Sequence, residues 1–200
     1  MATGFAELGG WSNISPAVDW TARVNEAWQQ LGWDCEHYVT TETVTAVNGQ
    51  VEYALATVWK LILDVTYNAV GLIRTTEDFE RAHAPSWRST AAGTPKRWLQ
   101  VAGFTKVGIL PAPNGTQSIV VRGVTSPPVM ASGSESPSDA AKGAFPAAWH
   151  EAIAMLAAAN VGKAYGDNER AAFYFSQVQD VVNKVRLSGT RGWVRGLPGE

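Results

Sequence analysis

Residues 38–55 read YVTTETVTAVNGQVEYAL, and this stretch decides the fold class. Tyr38 to Val47 is rich in Val and Thr, and Val51, Tyr53 and Leu55 alternate with Gln50, Glu52 and Ala54. Asn48-Gly49 between two such runs predicts a β-hairpin, because both residues tolerate the positive φ of a type I′ turn. Moving outward, Val58 to Tyr67 reads as a third strand, and Pro113-Asn114-Gly115-Thr116 as a turn joining strands at Lys106–Leu110 and Ser118–Val124. A small helix over residues 76–83 is opened by Thr75, with Asp78 three positions on. Ala84-Pro85 and Gly93-Thr94-Pro95 punctuate a surface excursion.

The flanks are helical. Ser15-Pro16 offers an N-cap oxygen and a first-turn proline. Ala17, Trp20, Val24, Ala27, Trp28 and Leu31 then recur at three- and four-residue steps, predicting a helix over 16–31 that Gly32 ends. Residues 125–144 carry Pro127, Pro128 and Pro137 among five serines, as a mobile connector or contact arm would. Phe145-Pro146 opens an alanine-rich helix that ends at Tyr165-Gly166. Asp167 caps a second helix over 168–187, which Gly189 ends, and the short break makes an antiparallel helical hairpin. The predicted class is α+β: one N-terminal helix and a C-terminal helical hairpin form a bundle, with a β-rich segment inserted between them. The divisions are an arm and helix at 1–35, the β-rich insertion at 36–124, the Ser/Pro loop at 125–144, the hairpin at 145–188 and a tail at 189–200.

Composition narrows the function. Of 200 residues 46% are hydrophobic, enough for a packed interior, while only 17% are charged, where about 25% is usual. Sixteen Lys and Arg against eighteen Asp and Glu leave no basic field to hold nucleic acid by its phosphates. Cys35 is the single cysteine, which excludes an internal disulfide and a cysteine-based zinc cluster. Met1 to Glu7 lacks a charged and an apolar signal region, and no run of eighteen apolar residues occurs, so a cytoplasmic origin without a membrane span is expected.

Catalytic readings fail one by one. His150-Glu151 lacks the second histidine four residues on that a zinc protease helix requires, and His37, His83 and His150 lie on separate elements. Gly93-Thr94-Pro95-Lys96-Arg97 lacks the spacing and the hydroxyl of a phosphate loop, and its proline removes an N–H. Gly10-Trp11-Ser12-Asn13 is followed by Ile14 where a nucleophile elbow needs glycine. Asp34 and Glu36 beside Cys35 raise rather than lower a thiol pKa. Neither a catalytic centre, a cofactor nor a metal is expected.

Nine tryptophans remain to be accounted for. Trp20, Trp28 and Trp149 fit helix faces. Trp87 and Trp98 flank the excursion, where exposure would suit a protein interface or, as the alternative function, a carbohydrate- or ligand-binding module. Trp193 stands among glycines, where docking into another chain accounts best for it and a fold-back onto its own helices is the alternative.

The order of these signals carries a resemblance. An amphipathic helix is followed by Val51-Glu52-Tyr53-Ala54-Leu55, a strand, a small helix, Ala84-Pro85-Ser86-Trp87, and Gly93-Thr94-Pro95 leading to Trp98. Then come Ile109-Leu110-Pro111-Ala112-Pro113, the alanine-rich helix after Phe145-Pro146, and Gly166-Asp167 before the last helix. Over residues 11–188 this resembles the adaptor, or head-to-tail connector, proteins of tailed bacteriophages, including the tail tubular proteins of short-tailed phages. Ala56 stands where such proteins often have proline, and the 125–144 segment is unusually rich in serine. The resemblance implies a structural protein of the virion neck, assembled in the host cytoplasm as a ring, expected to be a dodecamer. It implies the portal protein above and a tail tube, nozzle or head-closure protein below, with DNA passing through the lumen unbound. The tail residues Arg191, Trp193, Val194, Arg195 and Leu197 would then meet the portal. Trp149, Ala152, Met155 and Ala159 on the alanine-rich helix would meet the neighbouring subunit.

Overall fold

The computed structural model describes the backbone of residues 19–194 apart from 104, 132–134 and 143, and the side chains of these through residue 185 apart from 148. The chain is α+β, with four helices and two four-stranded sheets among the described residues. It divides into two compact units, one spanning Val39–Thr125 and the other combining the chain before and after that segment.

In the discontinuous unit, α1 (Trp20–Asp34) packs on α3 (His150–Ala164), and α3 packs on α4 (Asn168–Val194). Their shared core holds Trp28, Leu31, Phe145, Ile153, Leu156 and Val182. Asp19, not Ser15, caps α1, its carboxylate accepting the Ala22 N–H at 3.1 Å, while Ser15 and Pro16 lie outside the described residues. Gly32 does not end the helix either. It is buried inside it, and the left-handed residue is Glu36, at φ 55°. Glu36 N–H bonds to Trp33 O and His37 N–H to Gly32 O, the pair of bonds that closes a Schellman cap. The same cap recurs with glycine after α3: Gly166, at φ 83°, bonds to Lys163 O and Asp167 N–H to Gly162 O. Asp167 then caps α4 by accepting the Arg170 N–H at 3.2 Å.

Two further expectations for this unit are corrected. Gly189 does not stop the last helix, which runs through it and through Gly192 to Val194. An interior glycine costs about 1 kcal/mol against alanine, too little to end a helix with no proline directly behind it. Nor is the start of the 125–144 segment a free connector. Residues 127–130 lie along α1, where Pro127, Pro128 and Met130 carbonyls accept from Gln29, Trp28 and Asn25. Asn25 also accepts the Met130 N–H at 2.8 Å.

Among the described residues the β unit holds eight strands. One sheet has the order β1 (Val39–Thr45), β8 (Ser118–Val124), β3 (Leu61–Tyr67), β4 (Val70–Gly71). The other has β2 (Glu52–Ala54), β7 (Lys106–Leu110), β6 (Arg97–Val101), β5 (Ile73–Arg74). Between the sheets lies a core of Tyr53, Trp59, Ile62, Val65, Trp98, Ile109, Ile119 and Val121. The far face of the second sheet is covered too, by Trp87 over Leu99, Val101 and Leu110, so β7 is buried along nearly its whole length. A short helix, α2 (Glu77–His83), is capped by Thr76 rather than Thr75.

The predicted hairpin at Asn48-Gly49 is the largest correction. The turn exists, but its arms belong to different sheets: β1 pairs with β8, and β2 with β7. Only Gly49 takes a positive φ, so the double left-handed geometry of a type I′ turn is missing. Instead the Tyr53 hydroxyl accepts the Val47 N–H, and Gly49 N–H bonds to Pro113 O at 2.8 Å, which fixes a corner between the sheets. The tight hairpin is at Asn68-Ala69, where both residues are left-handed, at φ 49° and 62°, and Tyr67 pairs with Val70. Strands Lys106–Leu110 and Ser118–Val124 form with the predicted bounds, although they too lie in different sheets.

Candidate interaction surfaces

Neither tryptophan of the alternative reading is available to a ligand. Trp87 and Trp98 are 2% and 1% exposed, on opposite faces of the second sheet. Directly after Gly93-Thr94-Pro95 the chain enters β6, a strand with another strand on each side, and this carries Trp98 inward. Guanidinium groups cover both rings: Arg88 stands 4.2 Å from the Trp87 ring and Arg74 5.5 Å from that of Trp98. The carbohydrate reading loses the residues it rested on.

The residues of the alanine-rich helix separate into two groups. Ala152 and Ala159 are 1% and 0% exposed inside the subunit, so their side chains do not reach a neighbouring chain. The close approach that alanine permits is used between helices of this chain. Trp149 and Met155 are half-buried at the margin of the same core, Trp149 edge-on to Phe145 with ring centroids 5.9 Å apart. In the tail, Arg191, Trp193 and Val194 belong to the backbone of α4, and Arg195 and Leu197 lie outside the described residues.

Polar clusters are built for structure. Glu80 is 1% exposed, and Arg97 donates to both of its carboxylate oxygens, at 2.8 and 3.0 Å, which ties α2 to β6. Arg88 bridges Glu52 and Glu77, at 2.8 and 2.9 Å, and Arg81 joins Glu77. The Arg88 and Arg81 hydrogen bonds and charges hold the Glu77 carboxyl below its ordinary pKa. Lys142, nearly buried, donates to Val129 O at 2.6 Å and pairs with Glu135 at 3.2 Å, anchoring the segment laid along α1.

One pair was not singled out from the sequence. Ser138 Oγ lies 3.0 Å from His150 Nε2, and the same hydroxyl donates to Phe145 O at 2.9 Å. A hydroxyl whose proton is committed to a carbonyl accepts from the imidazole, so the pair fastens the 136–145 turn to the start of α3. No group of three metal-ligating side chains occurs among the described residues, and none of their helices is long and apolar enough to cross a membrane.

Two of the motifs behind the resemblance, at residues 93–95 and 110–113, meet in the β unit. Gly93 N–H bonds to Ala112 O at 2.7 Å, Lys96 N–H to Leu110 O, and Gly49 N–H to Pro113 O. A Cβ on Gly93 would stand 3.2 Å from the Pro111 ring, tighter than an ordinary contact, so the two segments pack closely there. The Gly-Thr-Pro and Leu-Pro-Ala-Pro segments are therefore one structural corner. Exposed apolar side chains in this unit include Val58, Val70 and Ile73, at 70%, 65% and 71%.

The family model described as SU10 adaptor protein matches residues 5–196. No curated protein matches the chain.

Proposed function

The chain belongs to the SU10 adaptor family, structural proteins of the phage virion, and from that membership we propose that it joins the portal to the tail. The observation that carries this reading is a family match over nearly the whole chain, covering both compact units. Copies assemble as a closed ring beneath the portal and continue the channel through which DNA leaves the head. The contacts are heterologous, each subunit offering one surface to the neighbour ahead and another to the neighbour behind. A formal charge of −2 suits such a lumen, because a strongly basic wall would retain DNA by its phosphates.

The carboxy-terminal end is the portal-binding element. Arg191, Trp193, Val194, Arg195 and Leu197 combine an aromatic anchor, aliphatic area and positive charge within seven positions, the make-up of an interface hot spot. Trp149 and Met155 contribute to lateral contacts. The test is to mix the purified chain with the portal protein of the same genome and measure the mass of the complex. The expected result is a discrete complex with many copies on one portal, lost when residues 189–200 are deleted while the cooperative thermal transition is kept and the helical circular dichroism falls only by the last turns removed. A portal left bare by the intact, folded chain would overturn the adaptor reading. Normal attachment of the truncated chain would remove the tail from it.

A further inference from the structure

The sequence holds two Asn-Gly pairs, Asn48-Gly49 and Asn114-Gly115, and both asparagines are exposed in connections between strands of the β unit. Asparagine before glycine readily loses its side-chain amide, because glycine has no side chain to hinder attack by its own backbone nitrogen on the asparagine Cγ. The attack needs that nitrogen stripped of its proton and free to approach. The two pairs meet this need very differently.

Gly49 is held. Its N–H donates to Pro113 O at 2.8 Å, so the nitrogen that would attack is engaged with a carbonyl. The turn around it is closed by Gln50 N–H on Val47 O at 3.0 Å. The Tyr53 hydroxyl accepts from Val47 N–H at 3.1 Å and donates to Gln50 O at 2.9 Å, pinning the same turn from the core side. Ring closure at Asn48 must break the first bond and rotate a peptide unit that the others fix. Gly115 has no such restraint. Among the described residues its N–H has no acceptor, and the Asn114 side chain makes no hydrogen bond. A Cβ added to Gly115 would meet only the Tyr67 hydroxyl, at 3.8 Å, so the space around it is open.

We propose that Asn114 is a site of spontaneous deamidation, and that Asn48, in the same dipeptide, is protected by the corner in which Gly49 is bonded. In this step the Gly115 nitrogen gives up its proton and bonds to Asn114 Cγ. The bond from Cγ to the side-chain nitrogen breaks, and ammonia leaves with the proton. The cyclic succinimide then takes up one water. Opening at Cγ leaves aspartate, and opening at the main-chain carbonyl leaves isoaspartate, whose backbone runs through the former side chain. Each event adds one negative charge at neutral pH.

Isoaspartate matters at this place because the segment is anchored on both sides. Pro113 O accepts from Gly49 N–H, and Gln117 O accepts from Ala46 N–H at 2.9 Å, where the chain crosses from the second sheet to the first. A backbone methylene inserted between fixed points has to be taken up by loosening one of these bonds. A virion does not renew its subunits, so the change accumulates with the age of the particle. The chemistry depends on the β unit alone and stands whether or not the chain joins portal to tail.

The experiment incubates the folded full-length chain in heavy-oxygen water at mildly alkaline pH and follows both dipeptides by peptide mass spectrometry, with the chain in urea as reference. At Asn114 the expected result is uptake of heavy oxygen and loss of ammonia, about tenfold or more faster than at Asn48, the factor that one held hydrogen bond supplies. In urea the two sites should convert at similar rates. The aged chain should also melt below an Asn114→Gln variant kept alongside it, since the longer side chain closes the ring far more slowly. A fresh Asn114→Asp variant, with the charge but not the longer backbone, should melt with Asn114→Gln. Similar rates at the two sites in the folded chain, or faster conversion at Asn48, would overturn the proposal by removing the protection. An intact Asn114 over the time in which the chain in urea converts would overturn it by showing that the fold shields this site as well. Conversion at Asn114 with no fall in melting temperature would overturn the loosened corner and keep the modification site.

Discussion

Glu42 has one of the most constrained charged side chains in the β unit. Its two carboxylate oxygens accept the N–H groups of Ala56 and Thr57, at 2.7 and 2.9 Å, and so hold the chain where it leaves β2 for β3. Burial raises the carboxyl pKa and these bonds lower it; the bonds prevail, so the folded value lies below the ordinary 4.5. A lowered folded pKa contributes stability that is complete above the unfolded value and is lost as pH falls through the folded one. The stability advantage of the wild type over Glu42→Gln should therefore be constant near neutrality and shrink as pH drops below about 4.5. Urea midpoints at a series of pH values test this, and a gap unchanged down to pH of about 3 would take the charge out of the account. Such a role was not legible in VTTETVT, where Glu42 reads as one polar residue in an alternating strand, because its partners lie in a different loop. Trp87 and Trp98 were hidden for the same reason. Their neighbours Ala84, Pro85 and Gly93 signal a loop, and only pairing of β6 with β7 and β5 makes the region an interior.

The elements themselves were largely legible, and their partners were not. Periodicity found three main helices, and β-branched runs bounded by turn residues found β7 and β8 to the residue. Pairing depends on contacts far apart in sequence, so Asn48-Gly49 reads as a hairpin turn while Asn68-Ala69, with alanine where glycine is usual, does not. Gly32 is the clearest case of a correct signal given the wrong cause. A Cβ at this position would lie 2.6 Å from Cγ and 2.8 Å from Cδ of Pro127, so glycine lets the 127–130 segment lie against α1. Alanine would gain about 1 kcal/mol of helix propensity. It would also push a proline ring out of its seat, at a cost of about 1–3 kcal/mol typical of overpacking. The expected outcome for Gly32→Ala is net destabilisation together with release of the segment. Chemical denaturation reads the first, and faster proteolytic cleavage within residues 127–131 reads the second. A stabilised variant with unchanged cleavage would mean that Gly32 is merely a weak helix residue.

At the scale of the molecule, the insertion begins and ends in one place. Val39 is paired directly with Val124, so the chain enters and leaves the β unit on adjacent strands. That geometry lets a segment be inserted in a bundle without stretching either, and it is common where domains tolerate insertion. The cores agree with the division: the cluster around Trp28 and Phe145 draws only on the helical unit, and those around Trp59 and Trp87 only on Val39–Thr125. The β segment buries four of the largest side chains, Tyr53, Trp59, Trp87 and Trp98, at 2% exposure or less, and its charged Glu80 keeps its partner Arg97 within the same segment. A unit with its own core, its own polar pairing and adjacent ends has what independent folding requires. Residues 39–125 expressed alone should therefore fold, with a cooperative thermal transition and the near-ultraviolet circular dichroism of immobilised tryptophans. A non-cooperative melt without near-ultraviolet signal would show that the helical unit is needed to hold the sheets together.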